Sequence, residues 1–313
     1  MLGFIVRRIL STLPVMGVVA LLVFSLMYLA PGDPALLIAG DHASQEELDR
    51  IRISLGLDEP FPIRFATWVW QLLHGALGTS IFTNLPVGTL LLERMEPTVS
   101  LMAVTLVIAT SAGVPLGIAA AAKADSWIDR LVMTGAVFGF SVPVFVLGYV
   151  LAYVFGLQLG ILPVQGYRAF SEGVGPWLRS VLLPSFALSG VYVAIIARTT
   201  RAALLDVLQQ GYIRTARAKG VGRVRILYVH ALKNAALPIV TVIGIGMALL
   251  VSGAVVTESV FAIPGLGRLT ADAILRRDYP VIQGVVLLFS FTYVMVNLLI
   301  DLVYILIDPR VRL

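Results

Sequence analysis

The sequence contains no cysteine and only three histidines among its 313 residues, and charged residues make up only 13% of it. Without cysteine the chain forms neither disulfides nor thiolate metal sites. His42, His74 and His230 are far apart, and none belongs to an HExxH motif. The sequence also has no GxxxxGKS/T phosphate-binding loop. Work that depends on ATP would therefore require another chain to bind the nucleotide.

Hydrophobic residues are abundant, at 58% of the chain, and the mean hydropathy is +0.94. A soluble domain carries about 25% charged residues, so this composition is typical of an integral membrane protein. Apolar segments long enough to span a bilayer are predicted near 9–30, 97–121, 130–157, 181–205, 235–258 and 281–307. The third is over-long and contains Pro143, so it is either one kinked helix or two short ones. The predicted fold is all-α, with six transmembrane helices.

The basic residues divide unevenly between the two sets of connecting segments. With the N-terminus inside, the inner segments hold 14 of the 23 basic residues and four acidic ones. The outer segments hold nine basic and 13 acidic residues, and Asp301 falls within the last span. Because inner segments are enriched in lysine and arginine, both termini are predicted to be cytoplasmic.

The N-terminal apolar run follows Arg7 and Arg8 and could be either a signal peptide or a first span. Its length, about 22 residues from Ile9 to Ala30, exceeds the usual core of a signal peptide, about 7–15 residues. Residues 1–30 are therefore predicted to be a retained span. Residues 31–95 then form the longest outer segment, with amphipathic helices predicted after Ser44 and around Trp68.

Few ionisable residues lie in the predicted spans. Glu258 is expected at the outer end of the fifth span, and Asp301 near the inner end of the sixth. Asp301 is either a proton or ion site or a carboxylate close to the cytoplasmic surface. Glycines recur at a spacing of four, as in Gly113 with Gly117 and Gly135 with Gly139, which predicts close helix packing.

The stretch TARAKGVGRVRILYVHALKNAALP, residues 215–238, is basic and contains no acidic residue. It predicts two short cytoplasmic helices, about Gln209 to Lys219 and Val224–Ala235, which are separated by Gly220 and Gly222, the first ending in a left-handed turn at Gly220. The hydrophobic pattern indicates that Tyr212, Ala216, Leu227 and Leu232 can pack. Three interpretations compete: a surface for anionic lipid, a nucleic-acid surface, and a docking elbow for a protein. The nucleic-acid interpretation is disfavoured because the chain lacks a domain that fits a groove.

Several further motifs lie along nearly the whole chain. They are APGDPA after the first span, SVPVFVLG in the third, ESVFAIPGLGRL after the fifth, RDYPVIQG at the start of the sixth and DPRVR at the end. Together with YIRTARAKG and the later Leu-Pro, they resemble the B-type permease subunits of dipeptide, oligopeptide and nickel ABC importers. Their EAA loop aligns with Arg214, Thr215, Ala216 and Gly220, although only the last alanine of Glu-Ala-Ala matches.

The resemblance implies a type I importer permease with the MetI-like fold. Residues 96–307 would be the core transmembrane domain of five helices, including the cytoplasmic coupling loop 208–234, and 308–313 a cytoplasmic tail. The residues implied to contact the ATPase are Tyr212, Arg214, Thr215, Ala216, Arg217, Lys219 and Gly220.

The same resemblance implies the assembly and its location. The expected partners are a second, non-identical permease, cytoplasmic ATPase subunits that bind ATP and magnesium, an extracytoplasmic substrate-binding protein and membrane lipid. The chain itself is expected to be a multi-pass protein of the inner membrane with no catalytic residue, cofactor or metal of its own, and its substrate-binding residues are not identified. It would move peptides by alternating access. Nickel or another solute, a non-transporting scaffold and a partner-free secondary transporter stay open as alternatives.

Overall fold

The computed structural model describes residues 2–29, 44–46, 48–49 and 59–307. Within them, regular structure is helical apart from one isolated bridge between Thr79 and Pro86. The α-helices are α1 (Leu2–Leu29), α2 (Phe61–Leu73), α3 (Val87–Ala122), α4 (Trp127–Ser141), α5 (Val144–Leu151), α6 (Val174–Leu208), α7 (Gly211–Ala218), α8 (Arg223–Arg225), α9 (Leu232–Val260), α10 (Leu266–Arg276) and α11 (Tyr279–Ile307). Two π-helical stretches, Ala152–Gln158 and Ile226–Ala231, and a 3-10 turn, Phe170–Glu172, complete the set.

Four stretches of the described chain are long and apolar enough to cross a membrane: Val87–Ala122, Val174–Leu208, Arg223–Val251 and Tyr279–Ile305. A fifth arises if the bent pair formed by Trp127–Ser141 and Val144–Gln158 counts as one span. Within α1 the apolar stretch is the shorter Leu10–Leu26. The all-α membrane class is confirmed, whereas the count of six spans stays a prediction.

The third predicted span is broken at Pro143. The helices on either side are bent by 98°, and Pro143 itself has an extended backbone with φ −57° and ψ 135°. Proline cannot donate the helical hydrogen bond and disfavours helical geometry in the residue before it. Val142 accordingly leaves the helix with ψ 120°. The choice left open by the sequence is resolved as two helices.

Two span boundaries differ from prediction. The second span begins at Val87 rather than at residue 97, so Pro97 lies inside α3 instead of at its start. The fourth begins at Val174 rather than at residue 181. In both cases the helix extends beyond the apolar run, because hydropathy marks the part of a helix that lies in the membrane and not its ends.

The contacts divide the chain into two units, and the first comprises residues 1–94 and 269–294. In it, Phe24 of α1 makes edge contacts with Phe61 and Phe65 of α2 and a tilted contact with Trp68. The aromatic helix predicted around Trp68 is thereby confirmed as α2. The buried Asp278 of the RDYPVIQG motif accepts a 2.6 Å hydrogen bond from the Ser80 hydroxyl, which anchors the turn before α3.

The second unit comprises residues 95–268 and 295–313. A Cβ added to Gly117 of α3 would lie 2.6 Å from the Ala197 carbonyl oxygen of α6, so a glycine is needed for this approach. Gly139 of α4 similarly meets the Gly190 carbonyl of α6, with 2.9 Å to an added Cβ. Close packing is confirmed at these two glycines. Gly135, one turn before Gly139, has nothing within 4 Å of such an atom.

Glu258 is completely buried at the end of α9, where it holds the loop to α10. Its carboxylate accepts a 2.6 Å hydrogen bond from the Thr98 hydroxyl and a 2.9 Å bond from the Arg268 N–H. The same Thr98 oxygen accepts the Leu266 N–H at 2.8 Å. A side chain at Gly265 would collide with the carboxylate. The ESVFAIPGLGRL motif therefore encodes a buried polar anchor.

Some sequence predictions lie outside the described residues. They concern the motifs APGDPA and DPRVR, the tail 308–313 and most of the helix predicted after Ser44. Of that helix, the Leu48 N–H donates to the Ser44 carbonyl at 3.0 Å, the spacing of one helical turn.

Candidate functional site: a basic elbow between α6 and α9

The elbow consists of residues 211–222 and begins where α6 ends. Gln209 caps α6, and Gln210 then adopts an extended backbone with φ −67° and ψ 148°. This single extended residue separates α6 from α7, which runs from Gly211 to Ala218. The predicted helix of about Gln209 to Lys219 is therefore confirmed, with slightly shorter ends.

The exposed and buried faces of α7 follow helical geometry. Ile213 is completely buried and anchors the helix. Tyr212, Arg214 and Thr215 are exposed, as is Lys219 at the helix end. Ala216 is partly buried. The prediction that Tyr212 packs is wrong. Its side chain is 46% exposed, and the neighbouring Ile213 is buried instead.

A Schellman motif ends α7 at Gly220. The Val221 N–H donates to the Ala216 carbonyl at 3.1 Å, and the Gly220 N–H donates to the Arg217 carbonyl at 2.9 Å. Gly220 has φ +78°, which is in the left-handed region that favours glycine. The left-handed turn predicted from the sequence is confirmed, and it fixes the direction in which the chain leaves α7.

The chain then enters α9 without a break. Gly222 is extended, and helix begins at Arg223, where a single α-turn passes into the π-helical stretch Ile226–Ala231 and then into α9. The second helix predicted for Val224–Ala235 does not end at Ala235, so this predicted boundary is wrong. No glycine or proline occurs between Arg223 and Leu237 to stop it, so the helix continues into the span. Buried Ile226 and Leu227 fix its start.

A cleft of about 400 Å³ lies beside the elbow. Two basic residues, Arg217 and Arg223, are among the residues that line it. Its apolar walls come from the last turns of α3 and α6, the elbow and the start of the next helix: Ala121, Ala122, Leu208, Val221, Ile226 and Leu227. Arg217 lies on this inner side because it follows Ile213 by four residues, which places the two about 40° apart around the helix.

An ion pair that the sequence did not reveal lies in the second half of α6. Arg201 of α6 donates from Nε and Nη2 to the two carboxylate oxygens of Asp129 in α4. Asp129 is 3% exposed and also accepts the Asp125 N–H at 3.0 Å. The only sign of this ion pair in the sequence is that Asp129 is an acidic residue among the mainly basic residues of the predicted inner segments.

Within the residues that the structure describes, no group of three or more histidine, aspartate and glutamate side chains is placed to hold a metal ion.

Family models match almost the entire chain. Residues 113–313 match the binding-protein-dependent transport system inner membrane component, and residues 1–102 match the N-terminal part of such membrane components. The chain belongs to this family of inner membrane transport components. It is therefore a multi-pass protein of the inner membrane.

Curated relatives of this family of membrane components match over their full length. A probable peptide ABC transporter permease of Sinorhizobium fredii is 49% identical over 309 residues, which is 99% of each chain. A putative peptide transport system permease of Brucella abortus is 45% identical, over all of this chain and 99% of its own. The glutathione transport system permease GsiC of Salmonella paratyphi A is 41% identical with the same coverage.

A solved relative shows the fold. A chain of the MetNI methionine ABC transporter, in an inward-facing conformation, superposes with a TM-score of 0.59 at 19% identity. The match covers 70% of this chain and 96% of that one. The described helices thus form the type I ABC importer permease fold that the motifs suggested.

Proposed function

We propose that this chain is the membrane subunit of an ATP-driven importer that moves di- or oligopeptides across the inner membrane by alternating access. The names of its full-length relatives, two peptide permeases and a glutathione permease, support a peptide substrate over nickel or another solute. The same names favour a transporter over a scaffold. The chain contributes the translocation path, and ATP hydrolysis belongs to separate subunits that bind ATP and magnesium.

The elbow is the observation that carries this proposal. It is a short helix fixed at one end by the buried Ile213 and at the other by the Schellman motif at Gly220. It joins two long apolar helices, α6 and α9. A force applied to α7 is therefore transmitted to both spans, since the connections are the short segments 209–210 and 219–222. Tyr212, Arg214, Thr215 and Lys219 form its outer surface, where we place the contact with the ATPase.

The remaining parts of the assembly are assigned in the same proposal. Residues 1–30 would form the first of six spans, and 96–307 the five-helix core with its cytoplasmic loop 208–234. Both termini, including the tail 308–313, would be cytoplasmic. A second, non-identical permease would complete the path in the lipid membrane, and the outer segments 31–95 and 259–280 would face a substrate-binding protein.

The test is a pair of substitutions two residues apart. Gly220 has φ +78°, whereas Gly222 has φ −60° and ψ 147°, and a Cβ at either position has nothing within 4 Å. Valine fits extended backbone but is strained in the left-handed region, by about 1–2 kcal/mol or more. We expect Gly220→Val to uncouple ATP hydrolysis from peptide uptake or to block assembly, and Gly222→Val to leave both intact. Normal uptake by Gly220→Val in an inserted, assembled transporter would refute the assignment.

A further inference from the structure

We infer that the cleft between Arg217 and Arg223 receives a carboxylate side chain from the cytoplasmic ATPase subunit. This inference rests on the proposed function, and it specifies which chemistry of the partner the elbow recognises. It concerns the inner side of α7 rather than the outer surface already assigned to the contact.

The charge around the cleft has no counterpart in this part of the chain. Arg217 and Arg223 are both exposed, and no acidic residue occurs between Asp206 and Glu258. Among the described residues, neither guanidinium takes part in an ion pair. Two arginine side chains at one cavity can supply the paired N–H donors that a carboxylate accepts.

The walls of the cleft favour an amino-acid side chain over a simple anion. The apolar residues Ala122, Leu208 and Ile226 line it together with the two arginines. A glutamate or aspartate reaching in from a folded partner would place its methylene groups against these walls and its carboxylate between the guanidinium groups. The volume of about 400 Å³ also leaves room for an adjacent apolar side chain.

The position of the cleft along α6 argues against a lipid as its occupant. Arg198 is exposed on α6, and the long side chain of an arginine near the end of a span reaches the membrane interface. Leu208 lies ten residues further on, which is about 15 Å along a helix. The polar layer of one leaflet is only about 5–8 Å thick. The cleft is therefore located in the aqueous phase, where a soluble subunit docks.

Charge reversal in the full transporter tests the inference. We expect Arg217→Glu and Arg223→Glu each to weaken the association of the detergent-solubilised permease with its ATPase subunits by about fivefold or more, with a steeper effect at low salt. Arg225→Glu is the matched control: this residue is also exposed and lies two positions from Arg223, but it does not line the cleft. An equal loss for Arg225→Glu would show a general electrostatic effect and would overturn the inference.

The absence of cysteine permits a second test that does not depend on the larger glutamate variants folding. In Arg223→Cys the only thiol of the chain lies at the cleft. A methanethiosulfonate reagent that attaches an ammonium group should restore ATPase binding, and one that attaches a sulfonate should weaken it further. No difference between the two reagents would contradict a carboxylate partner.

Cross-linking identifies the occupant directly. Val221→Cys, labelled with a benzophenone maleimide, places a photoreactive group on the wall of the cleft, and we expect adducts with the ATPase subunit. Adducts with lipid or with the second permease would overturn the inference. These results are separable from the proposed function, since a transporter that assembles and imports normally while ignoring charge at residues 217 and 223 refutes only the inference.

Discussion

Arg201 donates two hydrogen bonds of 2.6 Å, one to each carboxylate oxygen of Asp129. The bond joins α6 to the start of α4, and α4 is the first half of the span that is broken at Pro143. Asp129 is almost completely buried, while the Arg201 side chain is 26% exposed. The pair therefore links the helix that leads into the elbow with the helix that leads into the bend.

Removing one partner of this ion pair should destabilise the folded protein. In Arg201→Leu the buried Asp129 carboxylate loses its charged partner, a change that destabilises proteins by about 3–5 kcal/mol when the site is fully buried and by less here. We expect a clearly lower unfolding temperature of the purified transporter. Adding Asp129→Ala to the same chain should recover most of the loss, because no uncompensated charge remains.

Arg198→Leu provides the control for that experiment. Arg198 lies one turn earlier on α6 and is exposed, so its replacement removes the same charge without leaving a buried carboxylate. If Arg198→Leu lowered the unfolding temperature as much as Arg201→Leu, the ion pair would not be the cause.

Two threonines of α3 should respond in opposite directions to the same change. The Thr98 hydroxyl accepts the Leu266 N–H and donates to Glu258, so Thr98→Val leaves buried polar groups without that partner, at a cost of about 1–3 kcal/mol. The Thr105 hydroxyl is buried and has no hydrogen-bond partner within the described part of the chain. Thr105→Val should therefore be neutral or stabilising. Thermal unfolding of both variants checks the sign, and a Thr105→Val variant destabilised as much as Thr98→Val would show that the hydrogen bonds of Thr98 are not the cause.

Much of the fold could be predicted because it depends on local pattern. Apolar runs of the length of a bilayer indicated the long helices, and a glycine after a short basic helix indicated the left-handed turn at Gly220. The start of α3 was missed by ten residues, at Val87 instead of 97. The apolar run begins at Pro97, but hydropathy marks the part of the helix that lies in the membrane and not its end.

The polar contacts between helices could not be predicted, because they join residues that are distant in the sequence. Thr98 and Glu258 are 160 positions apart, and Asp129 and Arg201 are 72 apart. None of these residues indicates its partner in the sequence, because only tertiary packing brings the two members of each pair together. Whether Ile213 or Tyr212 is buried likewise depends on how α7 is rotated against the spans. The pattern of so short a helix does not determine this rotation.

Glu172 predicts a local response to acid. The Ala169 N–H and the Arg168 guanidinium each donate to its carboxylate at 3.0 Å and hold the pKa of that carboxyl below its usual range. A lowered pKa means that the contribution to stability is present above the usual value, about 4.3, and is lost as the pH falls through the lowered one. Amide exchange in residues 169–173, corrected for its intrinsic pH dependence, should lose protection on acidification. Glu172→Gln should lack this change, and an identical pH response in the variant would assign it to another group.

The last prediction concerns two glycines one turn apart on α4. Gly139 faces the Gly190 carbonyl oxygen of α6, which would be only 2.9 Å from an added Cβ, whereas Gly135 has open space at the same distance. Gly139→Ala should force α4 and α6 apart and destabilise the transporter by about 1–3 kcal/mol. Gly135→Ala should stabilise it slightly, since alanine favours helix by up to about 1 kcal/mol. Thermal unfolding of the two variants in the same detergent compares them directly. Equal stability would show that α4 and α6 are not held by this close approach, because both substitutions add the same methyl group to the same helix.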